Sequence, residues 1–238
     1  MLHILFDCPN VQNFREELKS RFSPSDTVAV VAFSFYDDYV FDEKSWDRVY
    51  GAPDGKDYLE TVQSFSAFGI PKESITFINY FKDTKESAAE KIRRASVVYF
   101  TGGLPDRMMD RIREFALEDV LLSHRGTVIG YSAGAVIQLA EYHLSPDADY
   151  PAFGYYRGLP YLEGFALEVH YEGKACQKDS IRRVLAEKHL PVYVLHTACG
   201  GLIAKDGQIR RVGHVDLLTP DMTPAQIDHF FEKECNPT

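Results

Sequence analysis

A chain of 238 residues with 45% hydrophobic residues, 16 Phe and 14 Tyr can fill the core of one large α/β domain spanning residues 1–238. Its net charge of −9, with no cluster of Lys and Arg, argues against nucleic-acid and anionic-membrane partners. No apolar run reaches the ~18 residues of a membrane span, and Met1–Asp7 has neither a basic n-region nor a long h-region, so no secretory signal is expected.

His3–Phe6 reads as a short first strand and Val11–Phe22, with apolar residues at Val11, Phe14 and Leu18, as a short helix. After the turn Ser23–Asp26, Thr27–Phe33 is apolar throughout, as a strand covered on both faces should be. Ser34–Asp57 is polar, aromatic and irregular and holds Trp46. It reads as a solvated loop with a short helix, or as a lid or partner surface. A helix is expected over Asp57–Phe68, a strand over Ser74–Phe81, a helix over Glu86–Ala95 and a strand over Ser96–Phe100 that runs into Thr101-Gly102-Gly103. Helical stretches over Arg107–Phe115 and on to Leu122 precede the strand Thr127–Tyr131. This strand–helix alternation implies a three-layer, doubly wound, mostly parallel sheet with helices on both faces and a site beyond the strands' C-terminal ends.

The second half changes character. Glu141–Pro160 reads as loop, Phe165–Tyr171 as a strand, Lys178–His189 as a helix and Pro191–His196 as a strand. Asp206-Gly207 between Gly201–Ala204 and Gln208–Val212 marks a hairpin. Thr223–Glu232, with Pro224 early in it, is a terminal helix. Cys8, Cys176, Cys199 and Cys235 are scattered without metal-ligand spacing, so reduced thiols in a cytoplasm are expected, with no metal.

The stretch that carries chemistry is Thr127-Val-Ile-Gly-Tyr-Ser-Ala-Gly-Ala-Val136. Gly-x-Ser-x-Gly between a strand and a helix is the pattern of a nucleophile elbow: glycines two before and two after the Ser let strand and helix close up, and the Ser sits at the turn. The pentapeptide alone is a weak signal; its placement between an apolar strand and small helix-forming residues strengthens it. A Ser132 nucleophile needs a base, an orienting acid and an oxyanion hole. His170 closes a strand and is the first candidate base, His196 the second, with His143 and His189 as competitors. Gly102-Gly103 follows a strand as a backbone-donor loop would, and Ala133 follows the Ser.

An apolar strand into Gly-Gly, Gly-Tyr-Ser-Ala-Gly-Ala some thirty residues on, and a later strand ending in His-Tyr together resemble peptidase family S51, which includes peptidase E and the cyanophycinases. The resemblance spans roughly residues 1–215 and implies a class I glutamine-amidotransferase-like fold and hydrolysis of a small peptide or amide. Carried over by position, it implies Ser132 as nucleophile, His170 as base, and Gly103 with Ala133 as oxyanion donors. Gly102 and Gln177 would touch substrate, Gln177 standing where peptidase E has an Arg. Leu104-Pro105 replaces the polar pair that usually follows the two glycines, and His196-Thr-Ala-Cys-Gly200 holds no acid where peptidase E has one. The candidate acids are Asp149, then Glu168, then Asp147. Expected further are no metal or organic cofactor, a small-molecule partner and a possible homodimer. The missing acid also admits an alternative: a catalytically impaired binding module on the same fold.

Overall fold

The computed structural model describes residues 1–234; Cys235, one of the cysteines expected to be reduced, lies outside them. The strands are β1 (Leu2–Phe6), β2 (Val28–Val31), β3 (Ile75–Ile78), β4 (Val97–Phe100), β5 (Thr127–Tyr131), β6 (Glu141–Leu144), β7 (Gly154–Arg157), β8 (Ala166–Tyr171), β9 (Val192–Lys205) and β10 (Gln208–Leu218). The helices are α1 (Arg15–Leu18), α2 (Glu43–Tyr50), α3 (Lys56–Ser66), α4 (Lys85–Arg94), α5 (Pro105–Glu114), α6 (Glu118–Ser123), α7 (Ala133–Val136), α8 (Ala175–Lys188) and α9 (Pro224–Glu234). No helix among the described residues is long and apolar enough to cross a membrane.

One eight-stranded sheet runs in the order β3-β2-β4-β5-β1-β9-β10, with β8 pairing to β9. The contacts among β3, β2, β4, β5 and β1 are all parallel. Side chains alternate across the strands and sort into two cores. Leu5, Val31, Val98, Phe100 and Val128 pack with Met108, Ile112 and Leu121 on one face. Ile4, Val30, Tyr99 and Ile129 pack with Leu18, Trp46 and Phe65 on the other. A third cluster joins β8 and β9 to α8 and α9 through Val194, Ile181, Val184 and Phe231. The continuous apolar runs of the central strands follow from this two-sided burial.

Three elements depart from the sequence reading. The expected helix over Val11–Phe22 is a 3-10 turn at Val11–Phe14 followed by one turn of α1. The expected loop over Glu141–Pro160 contains the antiparallel pair β6–β7, whose aromatic alternation Tyr142 with Tyr156 stacks across the strands. The strands expected at Pro191–His196 and Gly201–Ala204 are one long, bulged strand, β9. In Ser34–Asp57, α2 is capped by Asp42, which accepts from the Ser45 N–H at 2.7 Å, and it buries Trp46, Val49 and Tyr50. The segment is anchored by Arg111 of α5. Its guanidinium donates to the Phe33 and Phe35 carbonyls and to Asp37 and lies 3.6 Å from the Phe35 ring centroid. Tyr39 and Phe41 remain exposed.

The strand-to-helix turn after β5 is packed too tightly for side chains. A Cβ at Gly130 would lie 2.0 Å from the Gly134 carbonyl oxygen, and one at Gly134 would lie 2.3 Å from that of Phe100. Helical propensity favours Ala over Gly by about 1 kcal/mol, but backbone atoms cannot yield to a contact this short. Gly134→Ala is therefore expected to lower stability by about 1–3 kcal/mol, read as a lower urea midpoint; an unchanged or raised midpoint would refute this account of the turn.

Candidate active site

Ser132 occupies the elbow with φ 52° and ψ −117°, a conformation that costs a non-glycine residue about 1–3 kcal/mol and persists only where its surroundings enforce it. Two features do so. The glycine contacts press α7 onto the ends of β4 and β5, and the Ser132 N–H donates to the Phe6 carbonyl at 2.9 Å. That bond extends the β1–β5 ladder, in which Phe6 is opposite Tyr131, by one step beyond the strand.

The next residue of β1's chain is Asp7, 1% exposed. Its backbone N–H donates to the Gly200 carbonyl at 3.1 Å, fixing it between the elbow and β9. His170, near the end of β8, also has a positive φ of 52°, and its backbone N–H donates to the Asp7 carboxylate. The same Oδ1 lies 3.1 Å from His170 Nδ1. On the ring's far side, Nε2 is 2.7 Å from Ser132 Oγ. Ser132, His170 and Asp7 thus form one line of contacts, open to solvent at a half-exposed His170.

The acid in this line differs from the expected ones. Asp149 Oδ2 accepts from the Tyr36 hydroxyl at 2.7 Å. Asp147 accepts from the Asp149 and Tyr150 backbone N–H groups, closing its own turn. Glu168 is buried, but on the strand's other neighbourhood, where it is 2.8 Å from His143 Nε2 and accepts from Ser145 Oγ. The alternation that would set Glu168 beside the His170 ring is broken because β8 is irregular between Glu168 and Tyr171 and His170 is left-handed. Asp7 escaped notice because the sequence does not disclose that β1 lies next to β5. The signal available was its type and position: a carboxylate directly after an apolar strand.

The remaining candidates separate into neighbours and bystanders. Gly102 and Gly103 follow β4, the strand adjacent to the elbow. Gly103 has φ +134°, and a Cβ there would lie 2.3 Å from the Ser34 carbonyl oxygen. Ser34, fully buried, holds this loop: its Oγ donates to the Gly102 carbonyl and lies 2.7 Å from Thr101 Oγ1, while its carbonyl accepts from the Leu104 N–H. The Leu104-Pro105 pair begins a helix, with Pro105 as the first residue of α5, a position where its missing N–H costs nothing. Ala133 opens α7 next to Ser132. Gln177 is buried and occupied: Nε2 donates to the His170 carbonyl at 2.9 Å and Oε1 accepts from the Glu172 N–H at 3.0 Å. It braces the turn after His170 and also lines the cavity beside that residue. His196 lies 2.7 Å from Asp216, and His189 caps α8; neither is the partner of Ser132.

Two cavities of about 280 Å³ lie at His170 and at the Gly102-Gly103 loop. One contains His170, Glu168, Glu172 and Lys174 in its walls. The other joins Gly102 and Gly103 to Tyr36, Tyr50 and Asp57 of the 34–57 segment. Its carboxylate, Asp57, is raised above the ordinary range, first by burial and then by Glu60.

The model of peptidase family S51 matches residues 51–211. Among solved structures, the chain resembles a putative peptidase E protein from Listeria monocytogenes EGD-e, with TM-score 0.61 and 14% identity over 90% of this chain and 98% of that one. It also resembles a peptidase from an acI-B1 Actinobacterium, with TM-score 0.57 and 14% identity over 93% of this chain and 95% of that one. No curated protein matches the sequence.

The contact with Asp7 raises the His170 pKa above 6.5, outweighing the desolvation that lowers it. A raised pKa means that the protonated ring is favoured in the folded state. Its contribution to stability is full below the unfolded-state pKa and is lost as pH rises through the folded one. An NMR titration of the His170 ring is expected to show a midpoint above 6.5, moved downward in Asp7→Asn; equal midpoints in both proteins would separate Asp7 from the ring.

Proposed function

Because the chain belongs to peptidase family S51, we propose that it is a serine-type hydrolase that cleaves a small peptide or amide through an acyl-enzyme at Ser132. The observation that carries this reading is the line from Ser132 Oγ to His170 Nε2 at 2.7 Å and from His170 Nδ1 to Asp7 at 3.1 Å. An orienting carboxylate on Nδ1 fixes the tautomer that leaves Nε2 as a proton acceptor and stabilises the imidazolium once formed. With Asp7 in that role, the lack of an acid around His196–Gly200 no longer favours an impaired enzyme.

In this mechanism Ser132 Oγ attacks the scissile carbonyl carbon as its proton passes to His170 Nε2. The carbonyl oxygen becomes an oxyanion facing the backbone N–H groups of Gly103 and Ala133, the donors an elbow of this kind offers. Collapse breaks the C–N bond, and His170 returns the proton to the departing amine. Water, deprotonated by the same ring, then attacks the acyl-enzyme and releases Ser132. Attack requires neutral His170, so the raised pKa places the acid limb of the rate profile above 6.5, with activity growing as pH rises through it.

The two cavities of about 280 Å³ at His170 and at Gly102-Gly103 fall just under the ~300–1,000 Å³ typical of small-molecule pockets. Each has room for only one or two residues, which favours a short substrate of the dipeptide class. The mixed charge of Glu168, Glu172 and Lys174 in one wall suits a substrate with a free terminus.

Ser132→Ala is expected to keep the fold by circular dichroism and to lose about 10⁴-fold or more in turnover. Asp7→Asn is expected to lose about 10²–10⁴-fold. A fluorophosphonate probe should label the wild type at Ser132 and leave Ser132→Ala unlabelled. Undiminished turnover of the same short peptide by Ser132→Ala would sink the assignment.

A further inference from the structure

The hairpin beyond β8 gathers a second group of ligating side chains outside the Ser132–His170–Asp7 line. In the β9–β10 pair, Leu195 is opposite Val215 and Gly200 is opposite Gly213. Residues 196–199 of β9 therefore have only His214 across from them, a bulge that turns His196 toward β10. Bulges re-aim side chains in this way. His214 and Asp216 are two apart on β10 and share a face. The result is a cluster of three: His196 Nε2 lies 2.7 Å from Asp216 Oδ2, His214 Nε2 lies 3.7 Å from the same oxygen, and one ligand atom of each falls within 4.8 Å of the other two. The two imidazoles are stacked, with centroids 3.5 Å apart and planes 2° from parallel.

We infer that His196, His214 and Asp216 bind a divalent transition-metal ion of the zinc class. Two neutral imidazole nitrogens and one carboxylate suit Zn²⁺, Ni²⁺ or Cu²⁺ better than Mg²⁺ or Ca²⁺, which take oxygen ligands. With metal–ligand bonds of ~2.0–2.2 Å, ligand atoms in a tetrahedron are roughly 3.3–3.5 Å apart. The observed 2.7 and 3.7 Å need shifts below an ångström. His214 is 61% exposed, so its ring has room to tilt out of the stack and aim its lone pair at the ion. His196 is held from behind: its ring meets Tyr171 edge-on at 5.3 Å, which leaves less side-chain freedom to lose on binding. Three protein ligands leave a fourth position to water or an exogenous ligand.

The test is a calorimetric titration of the full chain with Zn²⁺ near neutral pH, with Co²⁺ absorption as a second readout of tetrahedral geometry. The wild type is expected to take up a single equivalent. His214→Ala and Asp216→Asn should weaken this by at least about 10–100-fold, while His229→Ala, altering an exposed histidine on α9, retains it. Ser132→Ala should also retain it, because the site is independent of hydrolysis. Circular dichroism of the unloaded variants checks their folding, and His214 is exposed enough for its replacement to be tolerated. Absence of saturable Zn²⁺ uptake by the wild type overturns the inference, as does uptake undiminished in His214→Ala.

Discussion

The arrangement rests on the parallel pairing of β1 with β5. That ladder brings the ends of two strands more than a hundred residues apart in sequence into register, Phe6 opposite Tyr131, and its last bond runs from the Ser132 N–H to the Phe6 carbonyl. One residue further on, the chain of β1 delivers Asp7. The hydrogen bond that supports the strained elbow and the carboxylate beside His170 therefore come from consecutive residues of one strand end. A shift of β1 by a single residue would remove both, and would also turn Leu5 and Phe6 to the wrong faces of the sheet. The two cores that receive these side chains thus enforce the geometry of the site.

Asp7 has a double task. Its carboxylate accepts the His170 backbone N–H and also lies beside the ring. His170 has a left-handed backbone that a β-sheet would not supply, and the backbone bond compensates for part of that strain. From the other side, Gln177 grips the His170 carbonyl and the Glu172 N–H. Backbone bonds on both sides hold the imidazole's attachment point, so its Nε2 meets Ser132 Oγ without relying on ring contacts alone. Elsewhere the same device recurs: Ser34 holds the Gly102-Gly103 loop, and buried Arg111 holds the start of the 34–57 segment. Buried polar side chains brace irregular backbone wherever the regular ladders end.

Much of the fold was legible because its signals are local. The central strands announce themselves as apolar runs, since both their faces are covered, and the helices between them by periodicity and caps. The elbow was legible for a similar reason: the contact of Gly130 with Gly134 is between near neighbours in sequence, so the spacing of the motif records it, although the contact of Gly134 with Phe100 is long-range. His170 was reachable as a histidine near a strand end, and its Nε2 lies 2.7 Å from Ser132 Oγ. The hairpin β6–β7 was missed because its strands are short and separated by a loop rich in Asp and Pro, and the split reading of β9 failed because a bulge interrupts its alternation.

By itself, the sequence determined which residue types could do chemistry and where the strands that carry them lie: Ser132 in its glycine frame, the Gly102-Gly103 turn, and the strand that carries His170. Local sterics and periodicity encode such things. What only the tertiary structure decided was which ends become neighbours. Asp149 was a plausible acid by its place before Pro151, Glu168 by strand alternation with His170, and Asp147 ranked after them, yet each is engaged elsewhere, and Asp7 takes the place beside His170. His196, His214 and Asp216 likewise form a group only once the bulged hairpin closes. Strand order and register are set by burial on both faces of the whole sheet, a global balance that no short stretch of sequence records.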